Sequence, residues 1–427
     1  MNVYTHPQPE DWAALCARPT ATYEDLVPLV RQIFDDVAYD GDRALDHYTQ
    51  KFDGVELSEI AVQPDAFAAA ELRVPKDLKA AIALAKDNIT RFHQAQTTKR
   101  VQVETQPGVW CWQEKRPIQK VGLYIPGGSA PLFSTILMLA VPAVLAGCEE
   151  IVLCSPPNSE GQLPDVVLYT AALCGIKKVY KVGGVQAIAA MTLGTTQIPK
   201  VYKLFGPGNQ YVTVAKQWAT RYQTAIDMPA GPSELLVVAD SSVPPAYVAA
   251  DLLSQAEHGP DSQVILVTTD AACVPPIQQA IDEQLEKLPR KDVAKKAIEN
   301  SKIIVFESDA AAIDFINQYG PEHYIICSLK EDEYVDNIQN AGSVFIGKYT
   351  PESAGDYASG TNHTLPTNGY AKQYSGVNLD SFLKQMTFQK IDAQGMKTIG
   401  PAIELMADAE GLQAHKNAVT VRLNDLA

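Results

Sequence analysis

The sequence has little positive charge. Its 427 residues contain 35 lysines and arginines against 50 aspartates and glutamates, which gives a net charge of −15, and no run of Lys or Arg is longer than two. Proteins that bind nucleic acid use clustered positive charge to neutralise phosphates. The sequence therefore predicts that nucleic acid is not a partner.

Long apolar segments are also missing. The stretch 136–145 is apolar, but it is far shorter than the roughly 20 residues that a transmembrane helix needs. The first residues lack the basic start and apolar stretch of a secretory signal peptide. We therefore expect no membrane association and a cytoplasmic location.

Closely spaced cysteines are absent. The seven cysteines form no Cys-x-x-Cys motif and lie at Cys16, Cys111, Cys148, Cys154, Cys174, Cys273 and Cys327. Disulfide frameworks need an even number, and thiolate metal sites usually need short spacing. We expect reduced thiols, most of them in the core. Cys148 and Cys154 have apolar surroundings and no neighbouring base, so core packing is favoured over a nucleophilic role.

The familiar phosphate-binding fingerprints are missing, since the chain contains neither a GxGxxG nor a Walker motif. Three glycine-rich turns instead follow predicted strands, at residues 125–131, 182–186 and 205–209. Glycines at such positions let backbone N–H groups approach a phosphate at a helix N-terminus. Phosphate binding is one interpretation of these turns, and tight connections without a ligand are the other.

The chain is long enough for two or more domains. The first hundred residues have apolar positions at helical spacing and no strong strand signal. From about residue 121, short β-branched runs alternate with helical segments, first at residues 121–125, 150–154, 178–182 and 200–205, then at 235–238, 263–267, 302–306, 324–327 and 343–346. Such alternation indicates βαβ units. After residue 378 the pattern is helical to about 407, and a strand-like run follows at 418–423.

The segment 251–262 places Gln255 and His258 three residues apart, just before Gly259 and Pro260. On a helix this spacing puts both side chains on one face, and Gly followed by Pro is typical of a helix C-terminus. Nitrogen beside oxygen suits zinc. The alternative is a polar helix end with a solvated histidine.

Two further segments carry candidate side chains. Glu322 and His323 are adjacent at a predicted loop-to-strand boundary, where both can point inward only if the first lies in the loop. Residues 351–363 are predicted to form a long, functional loop that offers Glu352, Asp356 and His363. A strand-capping pair and a loop-ordering histidine are the structural alternatives.

Ser233 follows a proline and precedes a glutamate, so its surroundings do not match the Gly-x-Ser-x-Gly nucleophile turn. Hydrogen bonding to a substrate is favoured over nucleophilic attack at this serine.

Taken together, these motifs resemble the histidinol dehydrogenase family over nearly the whole chain. The matching segments are residues 122–135, 205–209, 226–234, 251–262, 320–323, 352–363 and 414–418. Several long motifs in order are far more specific than any one of them. The resemblance implies an NAD-dependent zinc enzyme that catalyses the last step of histidine biosynthesis as an obligate homodimer.

The resemblance also implies a role for individual residues. One zinc per subunit would be bound by Gln255, His258, Asp356 and His415. NAD would contact Tyr124, Gln186 and Asn209. Substrate would contact Ser233, His323, Glu410 and the zinc ligands. Because the family's C-terminal tail crosses to the neighbouring subunit, Glu410 and His415 would complete the partner's site, so the active site would be shared.

The implied reaction is the four-electron oxidation of L-histidinol to L-histidine through L-histidinaldehyde, with NAD used twice. Zinc would hold the substrate's imidazole and amine. His323 would be the general base for the alcohol, and Glu322 would activate the water that adds to the aldehyde. No cysteine nucleophile is needed, because a hydrated aldehyde can itself release hydride.

The predicted fold is α/β, with two Rossmann-like parallel-sheet domains without a GxGxxG fingerprint. An N-terminal helical segment (1–22) precedes a metal-binding and catalytic domain (23–123 and 234–377), an NAD-contacting domain (124–233) and a C-terminal extension (378–427). Residues 155–164 form a loop slightly longer than is usual in the family. We expect it to lie away from every implied site residue.

Two other functions remain open from the residues alone. A zinc hydrolase would use the same ligands, with Glu322 activating water, and would leave the glycine turns idle. A non-catalytic two-domain ligand-binding protein would fit paired α/β domains. Neither predicts nicotinamide dependence.

Overall fold

The computed structural model describes residues 1–19, 23–127, 131–229 and 231–427. Within them the strands are β1 (Asn2–Thr5), β2 (Val101–Gln106), β3 (Val109–Pro117), β4 (Lys120–Tyr124), β5 (Glu150–Cys154), β6 (Lys178–Tyr180), β7 (Lys203–Phe205), β8 (Ala225–Ile226), β9 (Glu234–Ala239), β10 (Gln263–Thr268), β11 (Lys302–Val305), β12 (His323–Cys327), β13 (Ser343–Ile346) and β14 (Leu383–Ile391). Part of the first predicted glycine turn, residues 128–130, lies outside the described residues, as do the end of the predicted N-terminal segment and residue 230.

The α-helices of the described residues are α1 (Trp12–Leu15), α2 (Val27–Asp40), α3 (Asp42–Asp53), α4 (Pro64–Arg73), α5 (Lys76–Ala95), α6 (Phe133–Ala146), α7 (Asp165–Leu173), α8 (Gly184–Leu193), α9 (Gln210–Ala219), α10 (Pro245–Ala256), α11 (Val274–Leu285), α12 (Lys291–Glu299), α13 (Asp309–Tyr319), α14 (Glu331–Asn337), α15 (Glu352–Tyr357), α16 (Ala393–Ala409) and α17 (Gln413–Asp425). None of them is long and apolar enough to pass through a bilayer.

The chain divides into two compact units. The first contains Met1–Ala95 and Ile118–Phe382, and the second contains Gln96–Pro117 and Leu383–Ala427. Two parallel sheets lie in the first unit, one with the strand order β1-β11-β10-β9-β12-β13 and one with the order β6-β5-β4-β7-β8. The predicted α/β class with two parallel sheets is confirmed.

The central strands are apolar runs because both of their faces are covered. Every residue of β9 and β10 is buried. In the register of this sheet, Val237 lies opposite Leu266 on one side and Ile325 on the other. A strand buried on both faces reads as a continuous β-branched run, which is why these strands could be predicted from the sequence.

Helices of the N-terminal quarter pack on the five-stranded sheet. Phe34 of α2 and Leu45 of α3 are fully buried in one core cluster with Ile188. Ile89 of α5 is buried in another cluster with Leu123 of β4. The predicted grouping of 23–123 with 234–377 therefore differs from the structure, because an amphipathic stripe shows that a helix is covered but not which sheet covers it.

The predicted helical N-terminal segment begins with a strand. β1 pairs in parallel with β11, at the edge of the six-stranded sheet. All four of its residues are exposed, so the apolar alternation that reveals a half-buried strand is lacking. In the part of this segment that the structure describes, the α-helix is the short α1, whose Trp12 packs edge-on against Phe306 and Phe315.

The second unit corrects the predicted C-terminal extension. Its antiparallel sheet has the order β14-β3-β2, so 383–391 is a strand where a helix was predicted. Residues 418–423, predicted as strand-like, belong to helix α17. Residues 96–117 were not assigned to the extension, yet they supply the other two strands of this sheet.

Candidate active site

A cavity of about 490 Å³ in the first unit brings most of the predicted site residues together. It lies beside the amino ends of β9 and β12 in the six-stranded sheet. Its lining includes Ser233, Gln255, His258, Glu322, His323, Asp356, His363 and Asn209. Polar groups from distant parts of the sequence therefore converge on one concave surface, as in a binding or catalytic site.

Helix α10 positions the pair that the sequence predicted. Gln255 lies in its last turn and is buried, and the helix ends at Ala256. His258 lies in the turn that follows, where its backbone N–H donates to the Gln255 carbonyl at 3.2 Å, and its side chain is exposed. The predicted helix end is thus present, with the histidine just beyond the helix rather than within it.

His323 is the first residue of β12, and its imidazole is buried. Nδ1 lies 3.3 Å from the Glu234 carbonyl oxygen. Because a carbonyl oxygen only accepts, this contact assigns a proton to Nδ1. Nε2 has no hydrogen-bond partner among the described residues and lies 3.5 Å from Asp356 Oδ1. In the neutral ring, Nε2 is therefore the nitrogen that can accept a proton.

The charge around His323 is strongly negative. Burial alone lowers the pKa of the imidazole, but the Glu322 and Glu352 carboxylates and the contact with Asp356 outweigh burial and raise that pKa well above its usual value. Nδ1 lies 3.6 Å from Glu322 Oε2 and 4.0 Å from Glu352 Oε1. The site therefore favours positive charge at this position.

Glu322 lies just before β12, and its carboxylate is held by a hydrogen bond from a backbone N–H. Its Oε2 accepts a hydrogen bond from the Glu234 N–H at 2.8 Å, and the Gln255 amide nitrogen lies 3.4 Å from the same oxygen. With the Gln255 amide turned by 180°, its nitrogen donates to Glu352 and its oxygen accepts from the Glu234 N–H at 3.0 Å. Both orientations tie Gln255 to buried carboxylates.

Three side chains form a candidate metal centre. His258, Glu352 and Asp356 each offer one ligand atom, and these atoms lie within 4.8 Å of one another. Residues 352–357, predicted as loop, form the helix α15. Glu352 and Asp356 are four residues apart on this helix, so they share one face. The sequence offers Glu352 as a candidate side chain but does not include it among the predicted metal ligands. A predicted helix over these residues would have placed Glu352 on the same face as Asp356.

The pKa values of the two carboxyl groups of α15 are shifted in opposite directions. Burial raises the pKa of Glu352 well above its usual value, and the nearby acidic groups add to that rise although His323 opposes it. Burial also acts to raise the pKa of Asp356, but the hydrogen bond and charge of His323, with smaller contributions from His363 and His258, lower it below its usual value. Asp356 is therefore the stronger anionic ligand of the two.

His363 is fixed against the same helix. Its Nδ1 lies 2.9 Å from the Asp356 carbonyl oxygen, which accepts, and its Nε2 lies 3.1 Å from the Thr135 hydroxyl oxygen. Burial lowers the pKa of this imidazole. The second contact joins the loop after α15 to the start of α6.

A neighbouring cavity of about 650 Å³ contains two of the predicted NAD contacts. Gln186, near the N-terminus of α8, and Asn209, the N-cap of α9, both line it. Asn209 Oδ1 accepts from the N–H groups of Tyr211 and Val212. Because Pro126 and Asn209 line both cavities, the two cavities adjoin at these residues.

Tyr124, the third predicted contact, is buried at the end of β4. Its hydroxyl accepts a hydrogen bond from the Gly184 N–H at 3.1 Å. Burial raises the pKa of the phenol to about 12. Tyr124 thus supports the start of α8, two residues before Gln186.

The prediction that residues 155–164 lie away from the site is wrong. Ser155, Pro156, Pro157, Asn158 and Pro164 line the same cavity as Gln186 and Asn209. The loop follows β5, which is adjacent to β4 in the sheet. Carboxyl ends of neighbouring parallel strands meet at one edge, so this loop shares the edge with the glycine turns.

Glu410 and His415 lie in the second compact unit. Glu410 caps the C-terminus of α16, and His415 lies in the first turn of α17. Both side chains are exposed.

Comparison with known proteins assigns the chain to a family. The sequence profile of the histidinol dehydrogenase family matches residues 16–423. Histidinol dehydrogenase from Bacteroides thetaiotaomicron is 55% identical over 426 residues, covering 100% of both chains. The enzyme of the same name from Salmonella typhimurium is 52% identical over 421 residues, covering 98% of this chain and 96% of the relative.

Solved structures agree. The crystal structure of histidinol dehydrogenase from Elizabethkingia anophelis superposes with a TM-score of 0.98 at 54% sequence identity, covering 100% of this chain and 98% of the other. Similarity of sequence and fold extends over the whole chain, including the segments that carry the cavity residues. The chain belongs to the histidinol dehydrogenase family.

Proposed function

We propose that this chain oxidises L-histidinol to L-histidine, through L-histidinaldehyde, with two molecules of NAD and one zinc ion per subunit. The observation that supports the proposal most directly is the convergence of His323 and Glu322 with His258 and Asp356 of the candidate metal centre in one cavity that adjoins a second one. A dehydrogenase needs a base and a place for its hydride acceptor beside the substrate.

The residues of the first cavity fit a zinc ion. His258 offers nitrogen, Asp356 offers an anionic oxygen, and Gln255 is held nearby by buried carboxylates. His415 is proposed as the fourth ligand. A bound zinc would supply positive charge that orients the imidazole and amine of the substrate and offsets the carboxylate charge around His323.

The residues of the second cavity fit a dinucleotide. Gln186 Oε1 is buried and has no hydrogen-bond partner among the described residues, so the cavity offers an unused acceptor. The N-terminus of α8 presents backbone N–H groups at the glycine turn, a suitable place for a phosphate. Bound NAD would supply the hydride acceptor for both oxidation steps.

The first oxidation requires removal of the alcohol proton. Nε2 of the neutral His323 ring is free to accept it, while the Nδ1 contact with the Glu234 carbonyl fixes the plane of the ring. The carboxylates that raise the His323 pKa stabilise the imidazolium that forms. Ser233 lines the same cavity and can hydrogen-bond the substrate.

The second oxidation requires water to add to the aldehyde. Glu322 Oε2 is engaged by the Glu234 N–H, which leaves Oε1 to accept a proton from that water. The hydrated aldehyde then loses hydride to become the carboxylic acid. The two residues therefore have separate roles, His323 for the alcohol and Glu322 for the water.

Product analysis tests the proposed substrate. The purified chain, given L-histidinol, NAD and zinc, is expected to form L-histidine, identified by chromatography and mass spectrometry. An amino alcohol without the imidazole should remain unchanged, because it lacks one of the two groups proposed to be oriented by the metal. Unaltered L-histidinol under these conditions would contradict the proposal, as would a product that forms without NAD.

We also propose that the enzyme is a homodimer whose sites are shared, with Glu410 and His415 of each subunit completing the partner's site. Glu410 would contact substrate, and His415 would bind both metal and substrate. The exposure of both side chains in the second compact unit leaves them available for this contact. Symmetric homodimers are the commonest soluble oligomers.

Subunit mixing tests the shared site. His415→Ala and Glu322→Gln chains are each expected to be nearly inactive. In a mixed dimer one site carries both lesions and the other carries neither, so an equal mixture should regain about a quarter of wild-type activity. Each variant mixed with itself is the control. Failure to regain activity, with heterodimers verified by differently tagged chains, would contradict the shared site.

A further inference from the structure

We infer, on the basis of the proposed use of NAD, that Asp53 binds the hydroxyls of the adenosine ribose and selects NAD over NADP. No sequence motif points to this residue. The inference rests on two observations: Asp53 lines the 650 Å³ cavity, and its Oδ2 is buried without a hydrogen-bond partner among the described residues.

One oxygen of the Asp53 carboxyl group is buried without a partner among the described residues. Asp53 is the last residue of α3, and its Oδ2 is buried without a hydrogen-bond partner among the described residues. Burial raises the pKa of this carboxyl group to about 6. A buried acceptor without a donor is destabilising, and a charged one more so. A ligand that brings hydroxyl donors to this carboxylate would satisfy it and stabilise its ionised form.

The surroundings of Asp53 suit a nucleoside. Leu29, Ile33 and Phe52 line the same cavity and contribute apolar side chains against which a base can pack. Two adjacent ribose hydroxyls can donate to the two oxygens of one carboxylate, which is how an acidic residue recognises the ribose in many dinucleotide sites.

The arrangement of the two cavities indicates which of the two riboses of the dinucleotide contacts Asp53. Asn209 and Pro126 line both cavities, so the reactive end of a dinucleotide belongs there, beside His323 and Glu322. Asp53 lines only the larger cavity. The sugar that reaches Asp53 is therefore the one at the adenine end.

A 2′-phosphate would meet negative charge without compensation. Asp53 is the single charged residue among the described residues that line this cavity. The ammonium of Lys51 lies 5.5 Å from the centre of the Phe52 ring, but Lys51 is not part of the lining. Placing a phosphate against a carboxylate is unfavourable for both groups, so NADP is expected to bind more weakly than NAD.

Binding measurements on the full-length protein test this role. The variant is Asp53→Asn, and the control is Asp46→Asn, which removes an exposed carboxylate from the same helix outside the cavity lining. Titrations with NADH and NADPH are followed by fluorescence or calorimetry. We expect Asp53→Asn to reduce the preference for NADH roughly tenfold, the size of a charge-assisted hydrogen bond, while Asp46→Asn leaves the preference unchanged.

A cofactor analogue gives the matching test from the ligand side. NADH that lacks the adenosine 2′-hydroxyl should bind the wild-type protein roughly tenfold more weakly than NADH, and should bind Asp53→Asn as well as NADH does. Circular dichroism verifies that the variant is folded. If it is not, the analogue still decides, because equal binding of NADH and the analogue to the wild-type protein would overturn the role of Asp53.

The outcomes separate this inference from the proposed function. A wild-type protein that binds NADH, with an unchanged preference in Asp53→Asn, overturns the role of Asp53 and leaves the oxidation of histidinol intact. A wild-type protein that neither binds NADH nor reduces NAD overturns the proposed function itself.

Discussion

Replacing His323 with asparagine is expected to lower the rate of L-histidinol oxidation by about 10²–10⁴-fold, the usual contribution of a general base. Asparagine has no group that can take the alcohol proton at the position of Nε2. Because His323 is not one of the proposed metal ligands, the zinc content of the variant should remain at the wild-type level. Steady-state turnover and metal analysis by mass spectrometry measure the two quantities on the same sample.

The control for this variant is His47→Asn, which makes the same replacement at an exposed position of α3. It should retain wild-type turnover. A His323→Asn enzyme that turns over at the wild-type rate would remove the general-base role. One that has lost its zinc would show that His323 acts through the metal site instead.

Replacing Asp356 with asparagine is expected to lower zinc affinity by more than about 100-fold. Removing a group that only supports a ligand typically costs 10–100-fold, and Asp356 is proposed as a ligand itself. Its lowered pKa shows that the surroundings favour its charged form. Competition with a zinc-binding dye measures the affinity, and turnover should fall in parallel at limiting zinc.

Asp314→Asn is the matched control, since Asp314 is an exposed acid on α13. Wild-type zinc affinity in Asp356→Asn would exclude Asp356 from the metal centre. Intact affinity in Asp356→Asn combined with loss in Glu352→Gln would assign the ligand role to Glu352 instead, which the geometry of the candidate centre also permits.

The central strands of the two parallel sheets could be predicted because burial on both faces leaves a strong local pattern, whereas the exposed edge strand β1 was missed. Residues 150–154 and the edge strand 343–346 were predicted with the bounds that the structure has. The same reasoning missed β14, which alternates poorly and is exposed along most of its length. The pattern of apolar residues along a strand reflects which residues are buried. An exposed strand therefore lacks the pattern by which it could be recognised in the sequence.

The C-terminal helix shows a different limit. Residues 418–423 are rich in β-branched side chains, yet they are helical within α17. Leu423 packs against α16 at Gly400, where an added Cβ would lie only 3.0 Å from the leucine side chain. Packing between two helices decides the conformation here, and it outweighs the weak intrinsic preference of the residues.

The candidate site was predictable to the extent that its residues lie in distinctive local contexts. Gln255 and His258 are marked by the helix end, and Glu322 and His323 by the strand boundary. The sequence does not reveal the partnership of Glu352 with Asp356, because it predicts a loop over residues 351–363 where the structure has α15. Asp53 could not be identified from the sequence, because its role depends on a cavity wall formed by distant segments.

The most direct test of the proposed four-electron oxidation is the amount of NADH formed per molecule of L-histidinol consumed. It is measured by absorbance and by substrate analysis, before chelation, after chelation and after zinc is restored. We expect two NADH per L-histidinol, loss of the reaction on chelation and recovery with zinc. One NADH per substrate would contradict the second oxidation, and none in the zinc-restored protein would contradict the dehydrogenase function.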